Sequence, residues 1–148
     1  MFGDNLMVAP IFNDESIGRF YLPAGLWTDY LTGETFEGGR WYEKHYDYLS
    51  IPMLARENSI IVKGSREDTP DYDYADGAEF RIYALKDSAD AVIYKRTDAV
   101  ASLTAVKNGG EIILNVKADK PCSIRLVNCI ALSAEGAELT VDGNDSVL

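Results

Sequence analysis

The chain has very little of the side-chain chemistry that marks metal or nucleophile sites. It contains one histidine, His45, and two cysteines in 148 residues. Structural zinc sites draw on four His or Cys ligands, so a zinc site is not expected. The G-x-S-x-G, G-x-G-x-x-G and P-loop patterns are also missing from the sequence, which leaves serine-hydrolase and nucleotide-binding motifs unsupported. We therefore assign no catalytic residue, no metal ligand and no cofactor from the sequence.

Long apolar runs and excess positive charge are missing as well. No apolar run approaches the roughly 18 residues of a membrane-spanning helix, and the first residues lack the pattern of a signal peptide. The formal net charge is −10 at pH 7. Phosphate backbones and anionic membranes repel such a surface, so neither nucleic acid nor a membrane is expected as a partner.

The two cysteines, Cys122 and Cys129, do not form a C-x-x-C motif. Two cysteines in a chain of this length do not make a disulfide framework. Their apolar or proline neighbours in predicted strands indicate buried free thiols. The sequence leaves open whether the two pair with each other.

What the chain has in quantity is short β-type segments separated by turn residues. Residues 6–12 form a continuous apolar run, typical of a strand buried on both faces. Asn108, Gly109 and Gly110 predict a hairpin, and residues 142–145 predict another turn. Further predicted strands cover residues 19–22, 26–31, 40–46, 51–56, 59–62, 80–85, 91–94, 100–106, 111–116, 123–127 and 138–141.

No stretch of 11 or more residues keeps a helical apolar stripe, which favours an all-β fold. Strands at this spacing are typical of sandwiches. We predict two tandem small antiparallel β-sandwiches, residues 1–66 and 78–148, joined by a linker at residues 67–77. A sandwich of this size buries little core alone, so the first one is expected to lean on another structure through its apolar N-terminal strand.

The predicted linker is acidic, with four aspartates between residues 68 and 76. Carboxylate oxygens are the ligands that calcium prefers, but the spacing does not match an EF-hand loop. A solvated acidic linker is the alternative, and we assign no metal site there.

Aromatic residues could form a sugar-binding face, and Trp27 and Trp41 are the candidates. Sugar rings present C–H faces that lie well on aromatic rings, which bury much apolar area. The alternative is that these rings fill small cores or contacts between domains. The whole set comprises Trp27, Tyr30, Trp41, Tyr42, Tyr46, Tyr48, Tyr72 and Tyr74.

Several segments together resemble glycoside hydrolase family 31. Residues 2–11, F-G-D-N-L-M-V-A-P-I, resemble the segment that follows the last barrel strands of that family. Residues 21–29, Y-L-P-A-G-L-W-T-D, resemble its Y-L-P-x-G-x-W hairpin, and later landmarks follow in order to residue 61. Residues 66–80 resemble the linker into the distal domain of its bacterial α-xylosidase branch. The resemblance is strong over about the first 85 positions.

This resemblance implies the proximal and distal C-terminal β domains of a retaining α-glycosidase that acts on non-reducing-end α-linked xylose or glucose. In that family both catalytic aspartates lie in a (β/α)8 barrel, and their motifs are absent here. We therefore expect a non-catalytic region, part of a longer polypeptide, that stabilises the barrel. The oligosaccharide substrate would bind to the full-length enzyme, and the family branch implies a cytoplasmic location.

The aromatic residues leave a carbohydrate-binding module open as a second function. A third function, an extracellular interaction domain of an unrelated sandwich class, is supported by no feature of the sequence. An apolar patch around residues 6–12 or Trp41 would also allow a homo-oligomer.

Overall fold

The computed structural model describes Met1 and residues 3–148, so Phe2 of the segment 2–11 lies outside the described residues. The described residues form fourteen strands and no helix, which confirms the all-β class. None of them belongs to a helix that could cross a membrane. The strands are Leu6–Val8 (β1), Ile17–Leu22 (β2), Leu26–Asp29 (β3), Thr35–Glu37 (β4), Arg40–His45 (β5), Met53–Arg56 (β6), Ser59–Lys63 (β7), Ala78–Tyr83 (β8), Ser88–Lys95 (β9), Asp98–Asn108 (β10), Glu111–Ala118 (β11), Cys122–Val127 (β12), Thr140–Asp142 (β13) and Asp145–Val147 (β14).

The chain divides into two compact units, Met1–Glu57 and Asn58–Leu148. This division differs from the sequence-based one, which ended the first domain at residue 66. The difference comes from β7, which pairs with β8 along its whole length and so belongs to the second unit. Its apolar pattern is the same as that of the earlier strands, and only the pairing distinguishes it.

Asn58 anchors the start of the second unit. Its φ of 57° lies in the left-handed region, which asparagine tolerates better than most residues. The side-chain oxygen accepts hydrogen bonds from the backbone N–H groups of Lys86 and Asp87, at 2.9 and 3.1 Å. The side-chain amide donates to the carbonyl oxygen of Ser88 at 2.9 Å. One residue thereby holds the connection between β8 and β9 against β7.

The first unit is a sandwich of a four-stranded sheet, β1-β6-β3-β4, and a two-stranded sheet, β2-β5. Every strand pair in it is antiparallel. On β2, Phe20 and Leu22 are buried while Arg19 and Tyr21 are exposed, as expected for a strand with one covered face. The core of the unit consists of Phe20, Leu22, Trp27, Phe36, Tyr46 and Leu54.

The predicted strand of residues 6–12 is shorter and less buried than expected. β1 ends at Val8, and its three residues are half-buried. Ala9 still donates its N–H to the carbonyl oxygen of Pro52 at 3.0 Å, but Pro10 has no N–H with which to extend the ladder. Beyond it, Phe12 is 94% exposed.

The second unit is a sandwich of a five-stranded sheet, β13-β14-β12-β8-β7, and a three-stranded sheet, β11-β10-β9. The predicted hairpin at residues 108–110 is confirmed, since Asn108 pairs with Glu111. The predicted turn at residues 142–145 closes a second hairpin, in which Asp142 pairs with Asp145. One pair departs from the expected antiparallel order, because β8 and β12 run parallel over six residue pairs. The three strands between them form the opposite sheet and supply the long crossover that parallel pairing requires.

The core of the second unit includes a residue from the predicted linker. Ala75 is buried with Phe80, Ile124 and Leu103, which come from both sheets. Nearby, the Asp73 carboxylate lies 3.0 Å from the Lys120 ammonium. The segment 67–77 is therefore packed on the second unit and is not a free tether.

Gly38 marks a point where two backbone segments of the first unit meet. Its N–H donates to the carbonyl oxygen of Gly25 at 2.7 Å, and a Cβ at this position would overlap the carbonyl oxygen of Pro23. That oxygen also accepts the indole N–H of Trp27 at 2.9 Å. A side chain at Gly38 must therefore displace a backbone group on which the core tryptophan depends.

We expect Gly38→Ala to lower the free energy of unfolding of the first unit by about 1–3 kcal/mol, the usual cost of overpacking. Both tryptophans lie in this unit, so urea unfolding followed by tryptophan emission measures it selectively. As a control, Gly110→Ala places its Cβ in open space and should leave both this curve and the far-UV circular dichroism curve unchanged. An unaltered midpoint for Gly38→Ala would contradict the prediction.

Candidate functional site

Two exposed aromatic residues lie opposite each other on the outer face of the β2–β5 strand pair. Tyr21 pairs with Trp41, and Arg19 pairs with Glu43 one same-face row further along. The two ring centroids lie 5.7 Å apart, with the ring planes at 57°. Trp41 is 72% exposed and Tyr21 is 45% exposed. We call these four residues the ladder face.

The core side of β5 holds the ladder face in place. The Tyr42 ring packs edge-on against Phe36 with centroids 5.1 Å apart, and its hydroxyl donates to the carbonyl oxygen of Glu37 at 2.7 Å. Successive side chains on a strand point to opposite faces. Because Tyr42 points inward, its neighbours Trp41 and Glu43 are presented outward.

The two tryptophans proposed for sugar binding do not form one surface. Trp27 is 1% exposed and belongs to the core of the first unit, where it offers no ring face to a ligand. Trp41 lies on the ladder face, and its aromatic partner is Tyr21. Reasoning from the sequence missed Tyr21, although its place between buried Phe20 and Leu22 was a signal that it points outward.

A second exposed feature is the end of the first unit at which β1, β3 and β5 finish and β2, β4 and β6 begin. The strand directions bring the connections 9–16, 30–34 and 46–52 to this end. These connections carry five exposed large apolar side chains, and such concentrations mark contact sites. We call them the loop end; they are Phe12, Leu31, Tyr48, Leu49 and Ile51.

In the second unit, hydrogen bonds connect the charged side chains of Glu79, Arg81, Arg125, Asp142 and Asp145. Arg81 and Arg125 lie directly opposite each other on the parallel strands β8 and β12, an arrangement that would be destabilising alone. Glu79 accepts from the Nε groups of both, at 2.6 and 3.1 Å. Arg125 also donates from Nη1 to Asp142 and Asp145, at 2.9 and 3.1 Å.

These contacts shift the pKa values of the two central groups. Burial by itself raises the pKa of Glu79, but hydrogen bonds from Arg81 and Arg125 outweigh it, and the pKa is lowered. Burial by itself lowers the pKa of Arg125, but its carboxylate partners raise it. The charges therefore hold one another in the ionised state, which is a structural arrangement rather than an acid poised to give up a proton.

The carboxyl groups of Asp47, Asp68 and Asp73 also have lowered pKa values. In each case the main cause is a hydrogen bond from a neighbouring side chain. A glycosidase general acid needs the opposite, a pKa raised toward neutrality. The donor and carboxyl pairs are Ser50 with Asp47, Arg66 with Asp68, and Lys120 with Asp73.

In the described part of the chain, the side chains that could bind a metal ion and the two cysteines that could form a disulfide do not come together in a site. Across Met1 and residues 3–148, no three His, Cys, Asp or Glu side chains are grouped to hold a metal ion. In the acidic segment, Asp68 is paired with Arg66 at 2.7 Å. Cys122 and Cys129 are both free thiols. Cys122 is half-buried, but Cys129 is exposed, contrary to expectation, because it follows β12 in an irregular connection.

Two family models match the chain in the order of its two units. Residues 1–61 match the model described as "Glycosyl hydrolase family 31 C-terminal domain", and residues 73–148 match "Alpha-xylosidase YicI, C-terminal domain". The chain belongs to glycoside hydrolase family 31. This confirms the resemblance seen in the sequence, and it extends that resemblance over the second unit, where the sequence motifs were weak. The residues left between the two matches, 62–72, comprise the end of β7 and the start of the acidic segment.

Curated relatives in family 31 are much longer than this chain. "Alpha-xylosidase XylQ" of Lactiplantibacillus pentosus is 29% identical, with 99% of this chain and 18% of the relative covered. "Alpha-glucosidase 2" of Bacillus thermoamyloliquefaciens is 27% identical, with 97% of this chain and 20% of the relative covered. The chain thus spans about a fifth of the length of the curated relatives it matches.

Solved structures share the fold. A cycloalternan-forming enzyme from Listeria monocytogenes gives a TM-score of 0.69 at 23% identity, covering 98% of this chain and 14% of that one. A family 31 α-xylosidase from Xanthomonas citri gives 0.65 at 21% identity, covering 86% and 16%. Both matches cover only a part of a longer chain.

We expect Glu79→Gln to destabilise the second unit by about 1.5–3 kcal/mol at pH 7, because two opposed arginines lose the charge between them. The folded pKa of Glu79 is below its ordinary value of 4.5. Its contribution is therefore present above about pH 4.5 and is lost as the pH falls through the folded pKa. The variant should show a weaker pH dependence on that acid side.

The measurement is urea unfolding by far-UV circular dichroism between about pH 3 and 7, with tryptophan emission reporting the first unit separately. Glu111→Gln changes the same charge at an exposed position at the start of β11 and serves as the control. Equal losses for the two variants would show that net charge, and not this set of contacts, is responsible.

Proposed function

We propose that this chain is the non-catalytic C-terminal β region of a retaining α-glycosidase of the α-xylosidase type, and that it stabilises the catalytic barrel of the same polypeptide. The observation that carries the proposal is the ordered match of two C-terminal domain models to its two units. The named relatives are α-xylosidases and an α-glucosidase. The full-length enzyme would remove non-reducing-end α-xylosyl or α-glucosyl residues.

The carboxyl groups of the chain support the non-catalytic part of this proposal. Glycoside hydrolysis needs two carboxyl groups facing one bond, one of them with a raised pKa. The carboxyl groups of Asp47, Asp68, Asp73 and Glu79 have lowered pKa values. Each is already engaged by a cation or a hydroxyl group, so it is held as an ionised structural carboxylate.

The loop end supports the stabilising part. Its apolar side chains are exposed in the chain by itself, and a unit of this size gains much from burying them. Fully covering one such side chain is worth about 1.5–3 kcal/mol. We propose that the barrel covers the loop end in the complete polypeptide.

A cytoplasmic location and a homo-oligomeric state stay predictions. The exposed aromatic and apolar side chains of the first unit are compatible with a homo-oligomeric state.

The purified 148-residue chain should release no nitrophenol from aryl α-xyloside or aryl α-glucoside, because the catalytic pair lies elsewhere in the polypeptide. A chromogenic assay across the chromatographic peak of the folded chain measures this directly. Turnover that follows the peak and disappears when the chain is unfolded would refute the proposal.

Leu49→Ser tests the loop end. Leu49 is nearly fully exposed in this chain, so the substitution should leave the stability of the isolated chain within about 0.5 kcal/mol. In the longer polypeptide we expect a loss of about 1–3 kcal/mol, because a covered leucine is replaced by a hydroxyl group. Thermal unfolding of both proteins gives the comparison.

Leu132→Ser is the matched control, since Leu132 is just as exposed but lies in the second unit. It should leave both the isolated chain and the longer polypeptide unchanged. If Leu49→Ser also changed neither, the barrel would not cover the loop end.

A further inference from the structure

The ladder face is an exposed aromatic surface that plays no part in the proposed stabilisation of the barrel through the loop end. Trp41 and Tyr21 are directly paired across two antiparallel strands, and the strand on which Trp41 lies is locked by Tyr42 in the core. The backbone positions of both residues are therefore fixed before anything binds. Such preorganisation reduces the entropy that a ligand must overcome.

The polar part of the ladder face is neutral overall. The Arg19 guanidinium lies 2.7 Å from the Glu43 carboxylate, in the same-face row next to the aromatic pair, roughly 7 Å along the strands. An anionic or cationic ligand would have to break this pair and meet the charge that it repels. A neutral ligand with hydroxyl groups can instead donate to Glu43 and accept from Arg19 together.

The apolar part is too small for a stable protein contact by itself. A fully exposed aromatic side chain offers about 150–250 Å², so the exposed fractions of Trp41 and Tyr21 leave roughly 200–300 Å² together. A standard protein interface buries about 800 Å² on each partner. An aromatic surface of one or two ring widths beside a polar pair matches a ligand with apolar ring faces and hydroxylated edges.

We propose that the ladder face binds a neutral oligosaccharide, with one sugar ring stacked on Trp41 beside Tyr21 and its hydroxyl groups bonded to Arg19 and Glu43. The site is shallow, so it holds a chain at the surface with weak affinity and does not enclose it. It goes beyond the barrel-stabilising function, because binding here requires neither hydrolysis nor the loop end.

The test is titration of the 148-residue chain with maltotriose and with a xyloglucan heptasaccharide, followed by NMR. The chain has two indole N–H signals, from Trp27 and Trp41. We expect a saturable shift of the Trp41 signal with a dissociation constant on the order of 1 mM, and no shift of the Trp27 signal, because that ring is enclosed. No shift of the Trp41 signal with either sugar would overturn the proposal.

Variants separate stacking from non-specific effects. Trp41→Ala should weaken binding at least about tenfold, as removal of a stacking ring does elsewhere, while Trp41→Tyr should retain part of it. Tyr94→Ala removes an exposed strand tyrosine of the second unit and should leave the affinity unchanged. The buried-type emission of Trp27 shows in each case that the first unit is still folded.

Sedimentation velocity on the same variants tests the competing occupant, a second copy of the chain. The sugar proposal expects the same sedimentation coefficient for the wild type and Trp41→Ala. If Trp41→Ala dissociates a dimer and has no effect on the sugar titration, the ladder face is a protein contact and the proposal is wrong.

Discussion

The surfaces of this protein depend on the alternation of side chains along strands that have one covered face. A shift of one residue in register would exchange buried and exposed residues along a whole strand. On β5, inward Tyr42 determines that Trp41 and Glu43 face outward. On β8, inward Phe80 and Ile82 place the intervening residues outward, where the paired charges lie. Core packing therefore determines which aromatic and charged side chains lie on the outer face of each sheet.

The charged residues illustrate the consequence. The chain has 24 aspartates and glutamates, and those with lowered pKa values, Asp47, Asp68, Asp73 and Glu79, are bonded to cations or hydroxyl groups. Ion pairing lowers a carboxyl pKa, whereas acid catalysis needs burial without a counter-charge. The parallel pairing of β8 with β12 brings Arg81 opposite Arg125, so carboxylates are required there for stability. These carboxylates therefore stabilise the fold and do not have the properties of a catalytic acid.

The boundary between the two units could not be predicted from the local sequence pattern. Residues 59–62 have the same apolar character as the strands before them, so the sequence pattern groups them with the first domain. In the structure they pair with β8, and Asn58 holds the connection that follows it. Strand pairing is non-local, so the five residues of β7 do not by themselves indicate which strand they pair with. The acidic segment likewise has the composition of a linker, but buried Ala75 ties it to the second core.

Much of this protein was determined by the sequence alone. The all-β class follows from short strands without a helical stripe. The hairpin at Asn108 and the turn at residues 142–145 follow from residues that favour turns. Family membership follows from motifs in a fixed order. Only the tertiary structure decided that Trp27 is core and Trp41 is surface. Both tryptophans lie on strands. Their burial depends on which face the opposite sheet covers, a property of distant residues rather than of neighbours in sequence.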